Sequence, residues 1–301
     1  MGYPIRHFDP KRLYFITNRT FQGRLFMTPK NGIRDIVGGC LGRALSLYAI
    51  DLFGYIFLSN HYHLIIRATK GELAQFMCHL NGNIAKKVGK EIGWSGKFWQ
   101  RRYTAAPILD DEALLDRMSY ILQHGVKEGL VARSAMWQGL HCVDSFLDFE
   151  TPVYPWLNET ELCFDGRKKA GAKSKEAYIE LMPVPLATLP CWEGLDDKEL
   201  KIRAQTLLDA AQEEACDKHG SEHFLGTKKI CKQHPLSKPM SSKRSPQPLC
   251  HTTSGQLRRE FRTFYRAFVE HFKESSQWFR EGNLNVEFPL YCFPPSLPLR
   301  I

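Results

Sequence analysis

Hydrophobic positions in the first half of the chain fall into short runs that predict strands. Residues 12–20 combine β-branched and aromatic side chains, as a strand does. Residues 47–58 and 61–68 are two further apolar runs, and the Ser-Asn pair between them is a turn signal, so they predict a hairpin. Residues 97–107 predict a fourth strand.

Helical periodicity separates these strands. A first helix is predicted from a cap at Thr28 to about residue 45, and a second from a capping box formed by Thr69 and Glu72. A third follows a cap at Asp110 or Asp111. The order β-α-β-β-α-β-α predicts an α+β fold, a ferredoxin-like split βαββαβ unit with an extra helix.

The second half of the chain is rich in proline and charged residues. Residues 1–148 are therefore predicted to form one domain, and 149–301 a mainly helical and extended basic C-terminal region. Turn-forming residues and a basic cluster at 167–175 indicate a linker. The predicted parts of this region are a linker at 149–194, a helix at about 195–219, a basic arm at 223–253 and an amphipathic helix at about 255–282. The arm contains no Asp or Glu.

Composition and charge narrow the class of protein. A net charge of +9 raises the prospect of a polyanionic partner. The nine cysteines are odd in number and form no Cys-x-x-Cys pair, which favours reduced thiols in a cytoplasmic protein. No apolar run is long enough for a membrane span, so no membrane partner is expected.

Two histidines on a predicted strand form the first candidate site. His61 and His63 are two residues apart and therefore point to the same face of the sheet, while Tyr62 points to the other. Both imidazoles can reach one cation. A lone His-x-His pair is more often structural, so its meaning depends on what lies downstream.

A tyrosine and a third histidine follow on the last predicted helix. Tyr120 and His124 are four residues apart and share one helix face. If this helix packs near the strand of His61 and His63, three imidazoles and a phenol meet. That set suggests a metal together with a nucleophile.

These motifs resemble a known family. The segment FLSNHYHLIIRA is similar to the His-hydrophobe-His strand of HUH nucleases, and YILQHGVKEGLV at 120–131 resembles the tyrosine helix of the REP-associated tyrosine transposases. The intervening FWQRRYTAAPILDDEALLDRMSYI resembles the strand and acidic helix start of that family. The resemblance covers about residues 10–145.

The resemblance implies a mechanism and a partner. His61 and His63 would bind Mg²⁺ or Mn²⁺, and Tyr120 would attack phosphorus to leave a 5′-phosphotyrosine and a free 3′-OH. The expected partner is single-stranded, hairpin-forming DNA, and the expected reaction is strand transfer during transposition. A cytoplasmic, nucleoid-associated monomer or homodimer is expected.

One residue departs from the family pattern. Members usually carry Asn or Gln four residues after the tyrosine, whereas this chain has His124, followed by Gly125 in place of Pro. An imidazole still binds metals and prefers softer ions than an amide oxygen does. His124 is therefore predicted as the third ligand, with Gln123 as the alternative.

A basic and aromatic segment provides candidate contacts to DNA. Between residues 84 and 102, cationic side chains alternate with Trp94, Phe98 and Trp99. Positive charge follows a phosphate backbone and aromatic faces stack on unpaired bases. The predicted DNA-binding residues are Lys86, Lys87, Lys90, Lys97, Arg101 and Arg102.

Two other functions remain open from sequence. A non-catalytic DNA-binding protein descended from a transposase would keep the basic surface but form no covalent adduct with DNA. A relaxase or replication initiator of the HUH type usually carries a helicase or primase region, and this chain has no GxxxxGK[ST] phosphate loop.

Overall fold

The computed structural model describes residues 4–30, 32–165, 174–219, 223–239 and 248–296. Its strands are β1 (Leu13–Arg19), β2 (Ile50–Phe57), β3 (His61–Ala68), β4 (Thr104–Ile108), β5 (Val153–Leu157) and β6 (Ile179–Pro183). Its helices are α1 (Ile33–Leu47), α2 (Leu73–Glu91), α3 (Asp111–Lys127), α4 (Val143–Asp148), α5 (Glu159–Asp165), α6 (Asp197–His219), α7 (Thr227–Lys232) and α8 (Gly255–Arg280). Within these ranges, no helix combines the length and hydrophobicity needed to span a membrane.

The first four strands form one antiparallel sheet in the order β2-β3-β1-β4. With α1 after β1 and α2 after β3, this is the ferredoxin-like split arrangement, and α3 is the extra helix. The predicted α+β fold is confirmed.

The two faces of β3 face different layers. Tyr62 points toward α2, where its hydroxyl donates to Asn81 Oδ1 at 2.7 Å. His61 and His63 point to the opposite face, which α3 covers. Gly54 in β2 permits this close approach, since a Cβ there would lie 2.7 Å from the Met118 sulfur of α3.

The start of α3 follows its sequence. Of the two predicted caps, Asp110 is the one used, and its carboxylate accepts from the Ala113 backbone N–H at 2.7 Å. Asp111 and Glu112 place negative charge in the first turn, where the helix dipole favours it. The inner face of α3 is a buried apolar stripe that fixes the rotation of the helix; it comprises Leu114, Met118, Ile121 and Leu122.

Two predicted helix caps are wrong. α1 begins at Ile33, and the Thr28 hydroxyl donates to the Leu25 carbonyl instead. Glu72 precedes α2 but makes no capping bond, because its carboxylate accepts from the backbone N–H of Ala49. In both cases a partner outside the predicted helix satisfies the side chain.

The predicted fourth strand is shorter than expected. Thr104–Ile108 pairs with β1, and in the irregular segment before it Trp99 forms an isolated antiparallel bridge with Thr20. The segment is held by tertiary bonds, including the Trp99 indole N–H to the Asn81 carbonyl at 2.9 Å. The predicted strand is therefore interrupted, because the bridge at Trp99 is out of the register of the β1–β4 pairing.

The C-terminal region packs closely on the first half of the chain. The segment predicted as a linker contains the β5–β6 hairpin, which lies on α1 so tightly that a Cβ at Gly39 would be 2.2 Å from the Pro155 carbonyl oxygen. α6 packs on α3, and both long predicted helices, α6 and α8, are present. Most of the basic cluster at 167–175 and residues 240–247 of the basic arm lie outside the described residues.

Candidate metal and tyrosine site

Three histidines meet between β3 and α3. One ligand atom from each of His61, His63 and His124 lies within 4.8 Å of the others. The strand alternation of β3 aligns the first two imidazoles, and the packing of α3 over β3 brings the third. The ring centroids are 5.2 Å apart for His61 and His63, and 4.7 Å apart for His63 and His124.

Hydrogen bonds from outside the cluster orient the His61 and His63 rings, whereas His124 Nδ1 is buried without a partner among the described residues. Thr17 Oγ1 on β1 lies 2.8 Å from His63 Nδ1, and Asn60 Oδ1 lies 2.6 Å from His61 Nδ1. The Nε2 atoms of His61 and His124 are 2.7 Å apart. His63 Nε2 is buried without a partner among the described residues. Thr17 therefore fixes the His63 ring through Nδ1 and leaves Nε2 unpaired at the cluster.

Burial keeps the three imidazoles neutral. It lowers the pKa of His61 to about 4, with the Arg19 charge as a second cause. The pKa of His63 and of His124 is well below the ordinary value, mainly through burial and then through the neighbouring histidines. A neutral imidazole is the form that binds metal, so the cluster has the protonation state of a ligand set.

Tyr120 contacts this cluster from α3, one helical turn before His124. Its ring centroid is 4.6 Å from that of His124 and 5.2 Å from that of His63. Two cations lie over the phenol: Lys127 Nζ at 4.6 Å and the Arg117 guanidinium at 5.2 Å from the ring centroid. Burial, followed by the Glu128 charge, raises the pKa of Tyr120 to about 12, so the resting phenol is protonated.

The amide nitrogen of Gln123, the alternative third ligand, bonds outside the cluster, whereas its Oε1 is buried without a partner among the described residues. Its amide nitrogen donates to a Glu214 carboxylate oxygen on α6 at 3.0 Å and to Ser119 Oγ at 3.3 Å. The amide therefore ties α3 to the C-terminal region, and His124 is the α3 side chain that joins His61 and His63.

Two residues beside the cluster were missed by the sequence analysis. His251, on the chain leading to α8, places its ring 5.2 Å from that of Phe15, which in turn stacks on His63 at 5.0 Å. Arg19, the last residue of β1, lies opposite His61 in the sheet register. Alternation on β1 from Thr17 could have revealed Arg19, whereas His251 carries no local signal.

Three of the predicted DNA-binding lysines converge on one acidic residue. Lys86, Lys87 and Lys90 lie on α2, in the layer opposite the histidines, and their ammonium groups are 3.3, 3.9 and 2.9 Å from Glu159. Lys87 also donates to the Leu157 carbonyl at 2.7 Å and is only 11 % exposed. Its charge is therefore largely committed to internal contacts, while Lys86 and Lys90 are exposed.

The other three predicted DNA-binding residues lie in the loop before β4, and all three are exposed. Lys97 lies over the Phe21 ring at 5.7 Å. Arg101 and Arg102 line a cavity of about 250 Å³ together with Arg6 and Tyr103, and the Arg6 guanidinium lies 3.9 Å above the Tyr103 ring. This cavity combines cationic groups with an aromatic face.

Comparisons with known proteins give a family match over part of the chain and weak similarities to solved structures. Residues 27–124 match the family described as "Transposase IS200 like". No curated protein matches the chain.

Two of the similar solved structures have low sequence identity to this chain. A REP-associated tyrosine transposase bound to a REP hairpin is 14 % identical, with 49 % of this chain and 86 % of that chain covered and a TM-score of 0.43. A putative transposase from Deinococcus radiodurans R1 is 16 % identical, with 40 % and 92 % covered and a TM-score of 0.29. Residues 27–124, which include His61, His63, Tyr120 and His124, match the IS200-like transposases, as the sequence motifs predicted.

Proposed function

We propose that this protein is a metal-dependent tyrosine transposase that binds single-stranded, hairpin-forming DNA and cleaves and rejoins it through a 5′-phosphotyrosine intermediate. The observation that carries the proposal is the meeting of three neutral imidazoles with Tyr120, in a segment that matches a transposase family. The site combines a cation-binding group with a nucleophile in one enclosed place.

The residues fit a divalent cation. Metal-bound nitrogens lie about 2.1 Å from an ion and hence about 3–3.5 Å from one another, so ligand atoms already within 4.8 Å need only a small adjustment. His61, His63 and His124 would hold Mg²⁺ or Mn²⁺. When bound, the cation polarises the scissile phosphate and neutralises charge that develops on it.

Tyr120 is the nucleophile of the proposed reaction. Its phenolic oxygen forms a bond to phosphorus while the bond from phosphorus to O3′ breaks, and a proton ends on the released O3′. Arg117 and Lys127, over the phenol ring, favour the phenolate that forms as the proton leaves. The reverse step, in which another 3′-OH attacks the adduct, rejoins the strands, and a phenolate is a fair leaving group.

Single-stranded DNA is the proposed partner. The net charge of +9 suits a polyanion, and the cavity beside Arg101 and Arg102 offers cations and an aromatic face to an unpaired strand. The structurally similar REP-associated protein was solved with a REP hairpin, which suggests the probe to use. We infer action at the nucleoid in the cytoplasm, as a monomer or homodimer.

A covalent adduct tests the proposal. Purified protein is incubated with labelled hairpin-bearing single strands and Mn²⁺, and the products are separated on denaturing gels. The parent should form an adduct, and Tyr120→Phe should form none while still binding DNA, because only the nucleophilic oxygen is lost. Tyr103→Phe is the control and should form the adduct.

The same gel separates the rival function. A parent that binds the hairpin strands but forms no adduct with any divalent metal is a non-catalytic DNA-binding protein. An adduct that persists in Tyr120→Phe would assign the nucleophile to another tyrosine.

A further inference from the structure

Arg19 places a cation on the same face of the sheet as the histidine cluster. Side chains two residues apart on a strand share a face, and Thr17 of β1 contacts His63 on that face. Arg19 follows two residues later and pairs with His61 in the β1–β3 register. Its positive charge also contributes to the low pKa of His61, second to burial.

Within the described ranges, the Arg19 guanidinium has no hydrogen-bond partner in the protein. Among the described residues, no carboxylate or carbonyl receives a hydrogen bond from its side chain, and its Nε is buried without any partner. An unsatisfied buried donor destabilises the fold, and more so when it belongs to a charged group. An unpaired guanidinium beside the histidine cluster is suited to bind an anion that arrives with a ligand.

The backbone is shaped to seat this guanidinium. Gly23 has a φ of +67°, and a Cβ there would lie 2.8 Å from Arg19 Nη2, so the arginine packs directly on the glycine backbone. Asn60 Nδ2 donates to the Gly23 carbonyl at 3.3 Å, and the Oδ1 of the same side chain is 2.6 Å from His61 Nδ1. Asn60 therefore contacts both Gly23, on which Arg19 packs, and the imidazole of His61.

The cluster opens on this side. His61 is partly exposed, whereas His63 and His124 are 5 % and 1 % exposed. His61 is thus the most exposed of the three histidines, and Arg19 lies opposite it in the β1–β3 register. A planar guanidinium fork binds phosphate oxygens in pairs, which a lysine ammonium does not.

We propose that Arg19 is a further catalytic residue, which binds the non-bridging oxygens of the scissile phosphodiester beside His61. This inference rests on the proposed function. In the step described above, Arg19 exchanges no proton; its N–H groups hold the charge that grows on the non-bridging oxygens while the Tyr120–phosphorus bond forms and the bond to O3′ breaks.

A metal-free binding experiment tests the anion site separately from catalysis. The probe is a fluorescein-labelled single strand with one hairpin, titrated in EDTA at several salt concentrations. Arg19→Gln should reduce the log–log salt slope by about 0.7, the value for one phosphate contact on a single strand. Arg34→Gln, an exposed arginine of α1 with the same loss of charge, should leave the slope unchanged.

A cleavage experiment with Mn²⁺ then tests the catalytic role. Arg19→Gln should slow adduct formation by roughly 10²–10³-fold, the loss seen when one oxyanion donor is removed, with unchanged metal affinity. Arg19→Lys should keep the salt slope and still lose more than tenfold in rate. Arg19→Lys also tests the proposal if Arg19→Gln fails to fold, because the methylene groups of lysine keep the packing.

The outcomes separate the two proposals. A parent that forms adduct at the same rate as Arg19→Gln and Arg19→Lys overturns the role of Arg19 and leaves the proposed function intact. A parent that forms no adduct, yet loses salt slope on Arg19→Gln, overturns the proposed function and leaves an anion site. An equal slope for parent, Arg19→Gln and Arg34→Gln overturns the anion site.

Discussion

The proposed third ligand, His124, is the residue at which this chain departs from the pattern of the family it resembles, and it yields the sharpest prediction. His124 is 1 % exposed, and its Nε2 is 2.7 Å from that of His61. His124→Ala removes one of three ligand nitrogens. We expect metal affinity to fall by at least 10–100-fold, the loss that even supporting groups at metal sites cause.

The magnitude can be worked as a thermal shift. A metal present at 100 times its Kd stabilises the parent by about 2.7 kcal/mol, and at that concentration a 10–100-fold weaker variant gains only about 1.4 to 0.4 kcal/mol. At roughly 2–4 °C for each kcal/mol, the metal-induced shift in Tm should fall from about 5–10 °C to a few degrees or less.

The assay measures the metal-induced shift rather than Tm itself. His124→Ala also leaves His61 Nε2 without its neighbour and opens a cavity, so the metal-free variant is itself less stable. His124→Asn should restore much of the shift and move the preference from Mn²⁺ toward Mg²⁺, because an amide oxygen is a harder ligand.

Gln123→Ala is the matched control one residue away. Gln123 is bonded to Glu214, so this variant should keep the full metal-induced shift. If parent, His124→Ala and His124→Asn all give the same shift and the same metal ranking, His124 is no ligand and the geometric reasoning is refuted.

Two further predictions concern stability and the basic surface. Burial lowers the pKa of His141 to about 4, whereas an unfolded histidine titrates near 6.5, so the unfolded chain takes up a proton that the fold excludes. The free energy of unfolding should therefore drop as pH falls below 6.5, by about 2 kcal/mol at pH 5 from this group, and His141→Gln should remove that part of the slope in denaturant titrations; identical slopes would contradict it. Lys87→Gln should cost about 1.5–3 kcal/mol, because a charged bond to the Leu157 carbonyl is lost, while the exposed Lys86→Gln should cost less than about 1 kcal/mol. Equal denaturation midpoints for the two lysine variants would show that the Lys87 contact adds nothing.

Strand alternation and helix periodicity were enough to predict the histidine cluster. The position of His61 and His63 on one face of β3, and of Tyr120 and His124 on one face of α3, follows from spacing alone. That the two faces meet follows from the ferredoxin-like order of elements, because α3 has only one uncovered face of the sheet to pack on.

Contacts distant in sequence could not be predicted in this way. The β5–β6 hairpin lies on α1 through glycines 38, 39 and 42, and this run of small residues was the available signal for a close approach. Glu214 reaches Gln123 across 91 positions, and no local pattern encodes such a pair. The wrong caps at Thr28 and Glu72 have the same origin, since tertiary partners took the side chains that a local motif would use.

Both outer strands of the main sheet carry irregular chain along part of their free edges. On the β4 side, the backbone N–H of His251 donates to Pro107 and its carbonyl accepts from Leu109. On the β2 side, the Phe57 backbone N–H donates to the Leu140 carbonyl, and the Cys142 N–H donates to the Tyr55 carbonyl. Unpaired strand edges are templates for aggregation and for strand addition.

At these positions the irregular segments occupy the strand edges, so a further strand cannot pair there. Two copies cannot fuse their sheets into one continuous sheet without first peeling off residues 140–142 or 250–252. A chain shortened before residue 248 would expose the β4 edge and free the Asp110 carboxylate from Thr252 and Thr253, and it should become prone to self-association. We therefore expect a homodimer of the full chain to use a surface other than these covered strand edges.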